Sequence, residues 1–69
     1  MTNEAIIKKY ERVKTQYEKQ LKDAVDAIED ALYYGDDMTA SYIVQSVEMF
    51  SEQIETLEWE IEKLKAVGV

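Results

Sequence analysis

From Ala40 onward the chain places apolar side chains at alternating spacings of three and four: Ala40, Ile43, Val47, Phe50, Ile54, Leu57, Ile61 and Leu64, without a break. A seam of that period belongs to a heptad helix, and it predicts a second helix over about residues 39–67. The first half of the chain is also helical in period but less regular, and it reads as two stripes. One comprises Ile6, Tyr10, Val13, Tyr17, Gln20, Ala24, Ala27 and Ala31. The other is Leu21, Val25, Ile28 and Leu32, with Ile7 further along the same side. Together they predict a first helix over about residues 3–34.

The boundaries follow from local chemistry. Thr2 or Asn3 can cap the first helix, with Glu4 favourably placed in its first turn. Gly35 suits the left-handed residue that ends it, and Asp36, Asp37 or Thr39 can cap the second after a turn over about 35–38. So short a connection makes the helices antiparallel neighbours. The expected fold is all-α: a two-helix hairpin forming one domain over 1–69, with Ala31 near Ile43, Ala27 near Val47, Ala24 near Phe50, Tyr17 near Leu57 and Val13 near Ile61. The stripe Leu21, Val25, Ile28 and Leu32 is then left uncovered. Burying such a side chain is worth roughly 1.5–3 kcal/mol, so the hairpin is expected to dimerise through these four residues into a four-helix bundle, or to dock them on another protein.

Composition narrows the chemistry. The 69 residues include no cysteine, no histidine and no proline, and the only glycines are Gly35 and Gly68. Without cysteine or histidine there is no disulfide staple, no thiol nucleophile and no imidazole for metal or proton transfer. Ser41, Ser46 and Ser51 then read as ordinary helix-surface residues, and no phosphate-binding glycine loop is present. No enzymatic activity, cofactor or metal is expected. Hydrophobic residues at 46% and charged residues at 33% are too apolar for a disordered tail and too charged for a membrane span. The amino terminus has no basic run followed by an apolar one, so a cytoplasmic protein without a membrane partner is expected.

The net charge of −7 conceals a segregation. Residues 1–22 carry six cations against three acids, whereas residues 23–62 carry twelve acids and no cation. Folding back sets the basic half of helix one beside Glu55, Glu58, Glu60 and Glu62, which favours one register, although exposed pairs of this kind are each worth little. Asp23, Asp26, Asp30, Asp36 and Asp37, with Glu29, gather at the turn end without such compensation. Solubility, a basic partner or weak cation binding would each account for them. An EF-hand alignment on Gly35 puts Leu32, Tyr34 and Ser41 where oxygen ligands, including the final glutamate, are required, so that calcium loop is excluded.

Helix two has a second acidic feature on its outer side, the row Glu48, Glu52, Glu55, Glu58 and Glu62, whose spacing could imitate a phosphate backbone or simply solvate the helix. Trp59 falls opposite the seam and is expected to be exposed, with Tyr42 and Met49 on the adjoining side. Tryptophan and tyrosine bury much area with few rotors, so Trp59, Met49 and Tyr42 with the glutamate row form the candidate partner surface. Tyr33 and Tyr34 at the turn serve packing or contact.

Lys8, Arg12, Lys19 and Lys22 form a basic stripe on helix one. In overall plan a dimer of such hairpins resembles the plasmid copy-number Rop family, whose paired helices bind RNA. The resemblance is architectural and carries over no motif or residue, and the net acidity argues against a strong nucleic-acid contact. The turn Tyr33-Tyr34-Gly35 is similar to that of small secreted hairpins bearing tryptophan-x-glycine, from which it departs in lacking the tryptophan. Small acidic helical proteins are frequent among phage and mobile-element products. The expectation is therefore an inhibitor or modulator that pairs with itself and binds a basic host protein, with a self-assembling scaffold and a Rop-like RNA binder as the alternatives.

Overall fold

Capping side chains decide where both helices begin. The computed structural model describes residues 2–67, with α1 spanning Asn3–Tyr33 and α2 spanning Asp37–Ala66. Gly68 lies outside the described residues. At the start of α1 the Thr2 hydroxyl accepts the Ala5 N–H at 3.2 Å, which satisfies one of the orphan donors of the first turn.

At the other end of α1, Gly35 adopts φ 75°, the left-handed conformation that a side chain disfavours. The N–H of Gly35 donates to the Leu32 carbonyl at 3.1 Å and that of Asp36 to the Ala31 carbonyl at 2.8 Å, the paired bonds of a Schellman motif. Asp36 then opens α2. Its carboxylate accepts the Thr39 N–H at 3.1 Å and the Thr39 hydroxyl at 2.6 Å, while its carbonyl accepts the Ala40 N–H at 3.1 Å. Because Asp36 is the cap, α2 begins at Asp37, ahead of the start near residue 39 that the sequence pattern suggests. One residue thus closes one helix and starts the next, and the chain reverses within three residues, Tyr34 to Asp36.

The two helices pack along their length into a rod of 51 × 14 × 14 Å. Every member of the α2 seam from Ala40 to Leu64 is buried or half-buried. On α1 the covered residues are Ile7, Tyr10, Lys14, Tyr17, Leu21, Ala24, Ile28 and Ala31, again spaced three and four, with Ile6, Val13 and Ala27 half-buried beside them. It draws on both expected stripes. Ile7 is buried and Leu21 and Ile28 are half-buried, whereas Gln20, expected in the seam, is exposed.

Lys14 is the physical reason for this difference. Its side chain is only 28% exposed and its ammonium lies 3.4 Å from Glu58. The aliphatic stem occupies a heptad position while the charge escapes to the rim, and a single lysine at such a position fixes register at some cost in stability. Read as a charge, Lys14 breaks the heptad; read as a stem, it completes it. Tyr17, expected beside Leu57, has its ring centroid 6.0 Å from Phe50. An α2 that starts earlier lowers the residue number lying across from Tyr17 and brings Phe50 within reach.

Candidate interaction surfaces

The outer side of α2 presents what the hairpin does not use. Trp59 is 61% exposed, and Tyr42 and Met49 are exposed as well. The Lys63 ammonium sits 4.9 Å from the centroid of the Trp59 ring, a cation–π contact one helical turn along that orients the indole without covering it. Glu48, Glu52, Glu55, Glu58 and Glu62 are all exposed. On the heptad, Glu48, Glu55 and Glu62 lean to one side of the outer ridge and Tyr42 and Met49 to the other, with Glu52 and Trp59 along the crest. The acids and the large apolar groups therefore flank a common ridge. An open groove at the start of the helix is lined by Asp37, Met38, Ser41, Tyr42 and Gln45.

The four residues expected to meet a second copy are divided by the structure. Leu21 and Ile28 are half-buried in the seam, while Val25 at 40% and Leu32 at 56% exposure flank it. As a stripe they are interrupted, because the hairpin itself takes alternate members.

Asp23, Asp26, Asp30, Asp36 and Asp37 are all exposed at the turn end. Two of them have structural work there. Asp36 caps α2, and its two bonds from Thr39 hold its carboxyl below the ordinary aspartate range. Asp37 lies in the first turn of α2, where the helix dipole favours a negative charge. The last turn of α1 holds no basic residue. Among the described residues no cluster of three or more carboxylates is arranged to hold a metal ion. Tyr33 and Tyr34 project at the turn, their rings packed edge to face with centroids 5.1 Å apart.

The basic half of α1 is placed beside the acids of α2 by the antiparallel fold. Lys14–Glu58 is the ion pair that crosses between helices among the described residues; Lys8–Glu4, at 3.9 Å, lies within α1. Around it Glu11, Lys14, Glu58, Ile61, Glu62 and Lys65 line a second groove. No described helix is long and apolar enough to cross a membrane. Comparison with protein families, with curated proteins and with solved structures finds no match for this chain.

Proposed function

We propose that this chain is a non-enzymatic interaction protein that pairs with itself and binds a basic protein through the outer ridge of α2, inhibiting or modulating it in the cytoplasm as small acidic phage and mobile-element products do. The observation that carries the reading is the ridge: Tyr42, Met49 and Trp59 stand exposed beside Glu48, Glu55 and Glu62 on the side of α2 turned away from the hairpin. Large apolar groups give such a contact its area, and the surrounding carboxylates select a basic partner and speed encounter. Where that partner is a DNA-binding protein, the carboxylate row would occupy its phosphate-binding groove.

The test is capture of a partner from host lysate on immobilised protein, repeated with Trp59→Ala and with Glu48, Glu55 and Glu62 changed to lysine. Loss of the captured protein in both variants is expected, and its retention by both overturns the assignment of the ridge. A self-assembling scaffold is the second reading. It is favoured by the absence of any fully buried side chain among the described residues of the lone hairpin, and it predicts that copies of the chain are all that is captured.

A further inference from the structure

The groove lined by Glu11, Lys14, Glu58, Ile61, Glu62 and Lys65 puts Glu11 of α1 and Glu58 and Lys65 of α2 on one face of the hairpin. Steps of seven from Glu11 lead along α1 to Glu18, Val25 and Leu32, and steps of seven back from Lys65 lead along α2 through Glu58 to Ser51 and Val44. Residues seven apart share a side of a heptad helix, so this face is charged toward the free ends and apolar toward the turn.

Val25, Leu32 and Val44 are all exposed. Within α1 and α2 they are the large exposed apolar side chains next to the seam; Tyr33, Met38, Tyr42, Met49 and Trp59 stand farther round, on the outer sides. The seam beside them is only half-buried at Leu21, Ile28 and Val47, whereas Ile7, Ile54 and Ile61 toward the free ends are buried. Val25 lies eight residues before the end of α1 and Val44 seven residues after the start of α2, so the two stand level across the seam. The interrupted stripe of α1 is thus completed by a residue of α2.

We propose that a second copy covers this face, with the two turns at the same end and α1 of each hairpin lying on α2 of the other. The proposal rests on the self-association within the reading above and deepens it. A two-fold axis along the rod sets Val25 on the copy's Val44 and Val44 on the copy's Val25, so that apolar half meets apolar half. Asp37, one more step of seven from Val44, is exposed and marks the turn-side edge of the contact. In the charged half Glu11 comes level with the copy's Glu58, and Lys14, already 3.4 Å from Glu58 within each hairpin, supplies the countercharge. Area supports an occupant of this size. The hairpin exposes 5347 Å², whereas a folded chain of 8.0 kDa is expected to expose ~4,450 Å². The excess of about 900 Å² matches the ~800 Å² that each partner buries in a stable interface.

Charge sets the direction. One position farther out from this face, α1 carries Lys8, Thr15, Lys22 and Glu29, and α2 carries Ser41, Glu48, Glu55 and Glu62. Lys22 and Glu48 each lie eleven residues from the turn ends of their helices, and Lys8 and Glu62 each lie 25. The axis along the rod therefore sets Lys22 beside the copy's Glu48 and Lys8 beside its Glu62, with Thr15 beside Glu55 and Glu29 beside Ser41. No two like charges meet on these edges. With the turns at opposite ends, α2 would lie on α2, placing Glu48 on the copy's Glu55, and Val25 and Val44 would lie on Glu11 and Glu58. Asp23, Asp26 and Asp30 fall on the outer side of α1, away from the contact.

The test is the mass in solution by light scattering or sedimentation, which for the wild type is expected to be that of a dimer. Trimming one valine to alanine removes too little area to part the copies, so the variants place a charge there. Val25→Glu and Val44→Glu should each give a monomer, and Gln53→Glu on the opposite face should leave the dimer intact. Lys22→Glu should weaken dimerisation roughly two- to thirtyfold, since each dimer holds two such pairs, and combining it with Glu48→Lys should restore it. Because a charged variant can also unfold, a spin label on Tyr34→Cys gives an independent readout in a chain with no cysteine of its own. The two labels should lie nearer the 14 Å width of the rod than its 51 Å length. A dimer that survives both valine variants overturns the choice of face, and labels a rod length apart overturn the direction; either result leaves self-association standing. A monomeric wild type at high concentration overturns self-association itself. Trp59 stays outside the contact, so Trp59→Ala should remain a dimer, and a dimer that captures no other protein refutes the α2 ridge alone.

Discussion

Near the turn Ala24, Ala31 and Ala40 stand in the seam beside the half-buried Ile28 and Ile43, and the geometry is set by backbone hydrogen bonds around Gly35 and Asp36. Toward the free ends the contact is made by Ile7, Ile54 and Ile61, three of the four buried side chains, with Lys14–Glu58 on the rim. Local conformation therefore adds to packing in the turn half of the rod, whereas the far half relies on the burial of branched side chains. A reversal within three residues already dictates direction and spacing, so small side chains suffice beside it. Farther away only packing keeps two long helices together.

The largest expected effect lies in the packed half. Ile54→Ala should cost about 2–5 kcal/mol in urea unfolding, against less than about 0.5 kcal/mol for Val44→Ala, which is exposed beside the turn-proximal seam. Equal losses at both sites would show that burial of Ile54 is not what holds the packed half. The next effect belongs to the turn. Gly35 has open space where a Cβ would stand, so Gly35→Ala is opposed by φ alone and should cost about 1–2 kcal/mol. Gly35→Asn should recover part of that in thermal melts; a wild-type melting temperature for Gly35→Ala would show that the left-handed residue is not what holds the turn.

Asp36 should contribute less, and with a pH signature. Its folded carboxyl is lowered by the bonds from Thr39, so its stabilisation is complete above the ordinary value of 3.8 and is lost as pH falls through the lowered folded value. Asp36→Asn should therefore flatten the acid limb of the stability curve. An unchanged limb would assign acid sensitivity to other carboxylates. The smallest effect is the Lys14–Glu58 coupling, about 0.2–1 kcal/mol in a double-mutant cycle and weaker in salt, since Glu58 is half exposed. Lys14→Met should keep or raise stability, because the stem is what the seam uses; a large loss would mean that the charge itself is structural.

Much of this fold was legible from residue spacing. The α2 seam, the hairpin bend at Gly35, the cap at Thr2 and the exposure of Trp59 each follow from one property of one residue or from one unbroken period. The α1 face was harder to read, because Lys14 presents a charge where the heptad needs a stem, and the alanines and tyrosines on both sides of the seam fit either stripe. The ridge of α2 was legible as well, since heptad positions set Tyr42 and Met49 on one side of Trp59 and Glu48, Glu55 and Glu62 on the other.

By itself the sequence determined two helices, their direction and their charge segregation, because these depend on periods and caps that act within a few residues. Tertiary structure decided how far the covered face of α1 extends beyond the expected stripe, to Lys14, Leu21 and Ile28, since that depends on where Lys14 can place its ammonium against Glu58.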